Sequence, residues 1–374
     1  MFDPVIKFFS SVFQMIGTAI GKVILIILSP FIWVRNLYRS SGYILKGLIA
    51  ALLLCIIIPY AWFIWNVLWI RNYDINYTSK FDFKQIEVQA GEEVTVSGEN
   101  SSIRTCGRSS IADVASELID FNVNQNSWVS ASLMYKIGLF GIPWDSTPWM
   151  DNKASFQRGV HRAVDSTLIE MKDALGRSRG TSELNKNLNT ALSNTQISAY
   201  NWYFGLNPIG PKQTAWSSYR NARKHLEIYN NNLEKCEALF DARADNLNVF
   251  LNRIASEIGS TAAKIQKRIE ASNAGWFDVH ADNQFMEAKG QLYGYLGILR
   301  ATRVDFQDIV ESRGLGKVWT EMDDQLLHAV DLEPLIVSNG GEDAFIMPSH
   351  LTTMGFYLLR ARTKLTEMRD TLKN

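Results

Sequence analysis

The chain has 374 residues with 38 basic and 38 acidic side chains, three cysteines and five histidines, and its formal net charge is zero. That length can close a core without metals or many disulfides, and the charge balance gives no footprint for a nucleic-acid partner. The charge is unevenly divided, however. Residues 1–71 carry Lys7, Lys22, Arg35, Arg39, Lys46 and Arg71 against Asp3, a net +5, which leaves −5 for the remainder.

Residues 1–46 form the first segment. The stretch 5–34 is strongly apolar but is interrupted by Lys7 and Lys22, and a lysine near mid-membrane costs about 2.5–3.5 kcal/mol on insertion scales. It reads as an amphipathic interfacial or re-entrant helix, with a second membrane span as the open alternative. Residues 47–70, GLIAALLLCIIIPYAWFIWNVLWI, contain no charge. They are long enough to cross a hydrocarbon core of roughly 30 Å. Trp62, Trp65 and Trp69 crowd the C-terminal end and read as membrane-interface residues. Arg35, Arg39 and Lys46 precede this span, whereas only Arg71 and Lys80 follow it closely. The positive-inside rule then places the N-terminal side in the cytoplasm and the large C-terminal body outside. In a Gram-negative cell that means an inner-membrane anchor with a periplasmic body.

Residues 71–108 read as a stalk followed by a small β-element, with Gln85–Val88 and Glu93–Ser97 as hairpin strands around Ala90–Gly91 and a polar loop from Ser101 to Ser110. Residues 109–374 read as an exported α-helical domain. Ser110 is a helix cap ahead of Val114, Leu118 and Phe121. Ser127–Lys153 holds Trp128, Phe140, Trp144 and Trp149 beside Pro143 and Pro148. It is expected as a long loop over the core, with a binding or bilayer surface as the alternative. A helical stripe follows at Phe156, Val160, Ala163, Thr167, Met171 and Ala174, then a short helix over Glu183–Ser193 and a loop over Asn201–Lys212.

No proline occurs from Lys212 through Glu333, and Tyr219, Leu226, Leu233, Phe240, Leu247 and Ile254 recur every seven residues. Ala222, Tyr229, Cys236, Arg243 and Phe250 fill the second seam position. The pattern predicts one coiled-coil-like helix from Thr214 to Ile258, ending before Gly259, with a carboxylate from another helix meeting Arg243. Further helices are expected at Thr261–Ala271, Asn283–Val310, Leu315–Val330 and Ser349–Leu372. The last carries a regular stripe from Leu351 to Leu372, which makes it a plausible internal partner for the seam. Gly290, Gly294 and Gly297 sit in an apolar helix, a costly choice unless helices pack closely there. The fold class is therefore mainly α: an N-terminal membrane anchor, then an exported helical bundle with a long coiled-coil-like helix and a small β-hairpin.

The chemistry is sparse. Cys106 and Cys236 would both enter an oxidising compartment and form the candidate disulfide, closing a loop worth around 5 kcal/mol in the chain-entropy model. The alternative is that Cys236 is a small buried thiol in the seam. His161 with Asp165, Asp324 with His328, and the cluster Asp278, His280 and Asp282 lack metal-ligand spacing and read as polar pairs or caps. There is no HExxH, CxxC, GxSxG, Walker or GxGxxG pattern. No catalytic, cofactor-binding or metal residue is assigned, and no cofactor is expected.

The stretch YRNARKHLEIYNNNLEKCEALFDARADNLNVFLNRIASEIGS from Tyr219, together with DNKASFQRGVHRAV from Asp151, RSRG from Arg177 and MPSHLTTMGFYLLRARTKL from Met347, resembles an uncharacterised family of membrane-anchored proteobacterial proteins, domain of unknown function 2333. The resemblance implies a bacterial inner-membrane setting and supplies no catalytic residue. The expected role is an envelope scaffold or accessory subunit whose partners are the lipid bilayer and either another protein or a second copy. The alternative is a membrane-tethered hydrolase of an envelope polymer, working through a dispersed carboxylate or His–Asp site.

Overall fold

The computed structural model describes residues 3–86, 88–97, 102–147, 150–177, 184–206, 208–271, 278–341 and 348–373. Ser101, Pro148, Trp149, Glu183 and Met347, named above, lie outside that set. The chain divides into two units, Met1–Phe63 and Ile64–Asn374.

The first unit is helical. Helix α1 covers Asp3–Ser40 without interruption, carrying Pro30 inside it. Helix α2 runs over Tyr43–Val67 and carries Pro59. With a mean hydropathy of 2.5 over its most apolar stretch, α2 is the described helix that is long and apolar enough to cross a membrane. Compared with the sequence reading, this helix starts four residues earlier and stops at Val67. Trp62 and Trp65 therefore sit on it, while Trp69 lies beyond its end.

The second unit is a helical bundle with two small antiparallel hairpins. Its centre is the crossing of α5 (Asn152–Glu170) and α9 (Ala281–Asp305). Both helices carry glycine where they meet. A Cβ on Gly290 would overlap the Phe156 carbonyl, and one on Gly159 would overlap the Glu287 carbonyl; at Gly294 the Ala163 methyl lies 2.7 Å away. Glycine's loss of helix propensity, about 1 kcal/mol per site, is offset here by backbone contact that no larger residue permits.

Residues 71–85 are packed against this centre and do not form a free stalk. Tyr77 stacks on Tyr293 at 4.6 Å, and its hydroxyl donates to the Tyr293 carbonyl at 3.0 Å, in the space that the missing side chain of Gly297 leaves open. The first hairpin also differs from expectation. β1 (Glu93–Ser97) pairs with β2 (Ser102–Cys106), with Glu93 opposite Cys106, so the second strand is the stretch expected as a polar loop. Helix α3 (Ser110–Asp120) is capped one residue earlier than expected, by Ser109, whose hydroxyl accepts from the Ala112 N–H at 3.2 Å. The buried Asp305 carboxylate completes the cap by accepting from the Ser109 hydroxyl and the Ser110 and Ile111 N–H groups at 2.7–3.0 Å. These bonds satisfy donors that a helix start otherwise leaves orphaned.

The long loop after α3 contains α4 (Leu133–Ile137) and buries Trp128 and Trp144 against the body. Helix α6 covers Lys186–Thr195. The expected loop at 201–212 contains a second hairpin, β3 (Phe204–Leu206) with β4 (Ile209–Pro211).

The heptad stretch departs most from its reading. It forms two helices, α7 (Ala215–Glu234) and α8 (Ala244–Ala271). The chain breaks because Cys236 adopts a left-handed φ of 58° and the Asp241 N–H bonds the Leu175 carbonyl at 2.7 Å. All six seam residues are still buried. Phe240 manages this from the break itself, packing 5.7 Å from Phe306. Arg243 is not in a seam: it is half-exposed and pairs with Asp241, two residues away, at 2.7 Å. Gly259 does not end α8, so the expected helix at Thr261–Ala271 is its continuation. After α9 come α10 (Gln307–Ser312), α11 (Gly316–Val330) and α12 (His350–Lys373). The apolar stripe of α12 is buried from Leu351 to Leu372, and α12 runs along α8 and α11. The α7 half of the seam packs instead on α3 and α6.

Candidate functional site

The N-terminal ends of α5 and α9 diverge from the glycine crossing and, with the segment after α11, enclose a cavity of about 380 Å³. Its wall begins at Val67, the last residue of α2, and continues through Leu68, Trp69, Ile70 and Tyr73. Helix α5 contributes Asn152 and Lys153. Asp282, Phe285, Met286 and Lys289 come from α9, and the stretch from Leu332 to Val337 closes the far side.

Two lysines are almost wholly buried in this wall, Lys153 at 2% and Lys289 at 6% exposed. Lys153 donates to the Asn66 carbonyl at 2.8 Å. Among the described residues no carboxylate lies within ion-pair distance of it. Burial, reinforced by the nearby Arg71 charge, lowers its pKa to about 8. Lys289 donates to the Leu332 carbonyl at 2.9 Å, approaches Glu333 at 3.6 Å, and lies 4.9 Å above the Tyr73 ring. Its pKa is also lowered by burial, against the opposing pull of Glu333. Tyr73 is held in turn by its hydroxyl bond to the Val330 carbonyl and by stacking on Tyr293.

Carboxyl groups crowd the same end. Asp151, fully buried just before α5, has both side-chain oxygens without a hydrogen-bond partner among the described residues. Burial, with the charges of Asp282 and Asp145 adding to it, pushes its pKa up to about 8. Asp278 is treated differently. Burial alone would raise it, but Arg268 and Asn339 bind the carboxylate and hold it below the usual range.

The histidines singled out from sequence serve structural contacts. His161 is buried between Trp128 and Tyr219, and its Nε2 meets the Thr195 carbonyl at 2.9 Å. Burial lowers its pKa, with Asp165 opposing. Asp165 accepts from the Thr195 hydroxyl, so the pair ties α5 to α6. His328 Nδ1 lies 2.6 Å from the Asp324 carbonyl, not its carboxylate. Asp278, His280 and Asp282 do not converge, and among the described residues no cluster of three metal-ligating side chains exists.

Cys106, at the end of β2, and Cys236, in the break after α7, form a disulfide with Cα atoms 5.3 Å apart. Around it Arg108 binds Glu234 and Asn231 at 3.0 and 2.8 Å, fixing the hairpin to the end of α7. The six seam residues are buried and contribute packing. Of the three tryptophans expected at a membrane interface, Trp69 lines the cavity.

A family model described as "uncharacterized protein conserved in bacteria (DUF2333)" matches residues 129–274 and 263–374. The chain belongs to this family. No curated protein and no solved structure matches it. The DUF2333 match takes in α5, α9 and the 332–337 segment, and hence all of the cavity wall except residues 67–73.

Neither lysine of this wall was singled out in the sequence. Each occupies an ordinary helical position, 136 residues from the other, and only the crossing of α5 and α9 brings them to one cavity. The one signal was Lys289 itself, a cation at the start of an otherwise apolar, glycine-containing run.

Proposed function

We propose that this DUF2333 protein is a bacterial envelope scaffold or accessory subunit, held in the inner membrane by α2 and acting in the periplasm through protein contacts. The positive charge preceding α2 supports that orientation. The Cys106–Cys236 disulfide agrees with an oxidising compartment. The role in assembly is carried by one observation, an exposed apolar surface on the body. Ile209 is 78% and Tyr203 60% exposed on the second hairpin, next to Phe204 and Tyr200. Tyr200 lies 6.4 Å from Tyr135 of α4, a helix that itself exposes Leu133 and Ile137. Clustered apolar exposure of this kind marks interaction surfaces.

Site-specific photo-crosslinking in native membranes tests this reading. A crosslinker at Ile209 or Tyr203 is expected to capture a discrete protein, or a second copy, whereas one at Lys317 on α11 captures none. Absence of adducts at both hairpin positions, with the protein present at normal levels, would contradict it.

The Asp151 carboxyl beside Asp282 favours a second reading, a hydrolase of an envelope polymer. Asp151 stays protonated near neutral pH, as a general acid requires, and Asp282 borders the cavity. Soluble fragments released from purified cell envelopes by the wild type, and not by Asp282→Asn, would establish that reading instead.

A further inference from the structure

We propose that the cavity whose wall begins at Val67 is a phospholipid site, with the headgroup phosphate held by Lys153 and Lys289 and an acyl chain laid against Phe285, Met286, Leu335 and Ile336. This is separate from the protein-contact surface and requires only that α2 lies in a bilayer.

Three observations converge on an amphiphile. First, an ammonium removed from water is unfavourable unless an anion meets it. Lys153 is 2% exposed, yet it has a single carbonyl acceptor and, among the described residues, no carboxylate within reach. Lys289 has a carbonyl and a Glu333 oxygen no closer than 3.6 Å. An ammonium has three donors, so both retain capacity for phosphate oxygens. Both line the same cavity of about 380 Å³.

Second, apart from Tyr73, Asn152, Asp278, Asp282 and Glu333, the rest of the wall is apolar. It ends in Leu335, which is 92% exposed, beside a partly exposed Ile336. A free small anion would have no use for that lip, whereas an alkyl chain does. Third, the wall starts at the last residue of the apolar helix α2 and continues through Trp69, the residue type that settles at headgroup depth. The ligand that matches cation, apolar lip and position together is a glycerophospholipid of the surrounding leaflet.

The test uses the full chain purified in detergent, loaded with palmitoyl-oleoyl phosphatidylglycerol and examined by native mass spectrometry. The wild type is expected to retain one phospholipid per chain. Lys153→Met with Lys289→Met, which preserves side-chain length, should lower occupancy at least tenfold. Leu335→Ser with Ile336→Ser should lower it as well, and because these residues lie at the exposed lip, that variant remains informative if the lysine variant misfolds. Glycerol 3-phosphate, a headgroup without chains, should not displace the lipid. The proposal is overturned if the wild type retains no phospholipid, if a folded lysine variant or the lip variant retains as much as the wild type, or if glycerol 3-phosphate competes as well as the lipid does.

Discussion

Helices α5 and α9 meet at a glycine crossing and line a cavity with their N-terminal ends, and the two regions follow opposite rules. At their crossing, Gly159, Gly290 and Gly294 bring backbone against backbone, and the surrounding ring of Phe156, Tyr293 and Tyr77 is closed to water. At their N-terminal ends the same two helices bury Lys153, Lys289 and Asp282 around a cavity, with the buried Asp151 just before α5. The first region maximises packing. The second gathers groups that a stability-driven core would exclude, because unpaired buried charge is unfavourable. One pair of helices therefore separates close backbone packing from the burial of titratable groups.

Substitutions at the crossing should have the largest effect. Gly290→Val places a branched side chain against the Phe156 carbonyl, which cannot rotate away. We expect a loss of about 4 kcal/mol, beyond the roughly 1–3 kcal/mol usual for overpacking because the opposing atom is backbone, measured by urea denaturation of the body. A loss below about 1 kcal/mol would mean that the two backbones are not in contact.

A large-to-small change away from the crossing should cost somewhat less. Leu233→Ala on α7 is expected to lose about 3 kcal/mol, and to do so in a monomeric body lacking the anchor, since the residue is buried within one chain. An unchanged unfolding midpoint combined with dissociation of the full-length assembly would instead assign the seam to an intermolecular interface. Replacing both Cys106 and Cys236 by alanine should cost about 2–5 kcal/mol, the usual range for removing a native disulfide, with the chain-entropy value for a crosslink spanning 130 residues at its upper end. Dithiothreitol should reproduce the effect in the wild type and leave the double variant unchanged.

The seam also shows where sequence periodicity carries information and where it does not. The seven-residue repeat from Tyr219 to Ile254 identifies six buried side chains, because burial is what the repeat encodes. It is silent about the break at 235–243, since Phe240 keeps its place in the pattern from a non-helical segment, and no proline or glycine marks the interruption. The stripe of α12 and the glycines of α9 were legible for a related reason: each reflects a local requirement of one helix surface. By contrast, the pairing of β1 with residues 102–106, the capping of α3 by Asp305, and the gathering of Lys153 with Lys289 depend on residues distant in sequence. No local pattern announces them.

At the polar end the expected effects are smallest and opposite in sign. Lys153→Met should stabilise the body by about 1 kcal/mol at pH 7, since a flexible apolar chain replaces a buried ammonium without a carboxylate. A marked destabilisation would show that the lysine holds the α5 end in place.

Asp151 gives the most direct test of the division between the two regions. Its folded-state pKa, about 8, lies above the value near 3.9 expected in the unfolded chain. The folded protein thus binds an extra proton between those values. The stability linked to that proton is fully present below about pH 4 and is lost as pH rises through about 8. Asp282, Asp145 and Arg158 are the charged groups that face it. The measurement is urea denaturation of the wild type and Asp151→Asn across pH 5 to pH 8.5, where asparagine keeps the shape and cannot ionise. The account predicts that wild-type stability falls over this range, that the fall is shallower in the variant, and that the variant is the more stable protein at pH 8.5. Equal slopes, or a variant less stable at every pH, would contradict the claim that this end of the helices is maintained at the expense of stability.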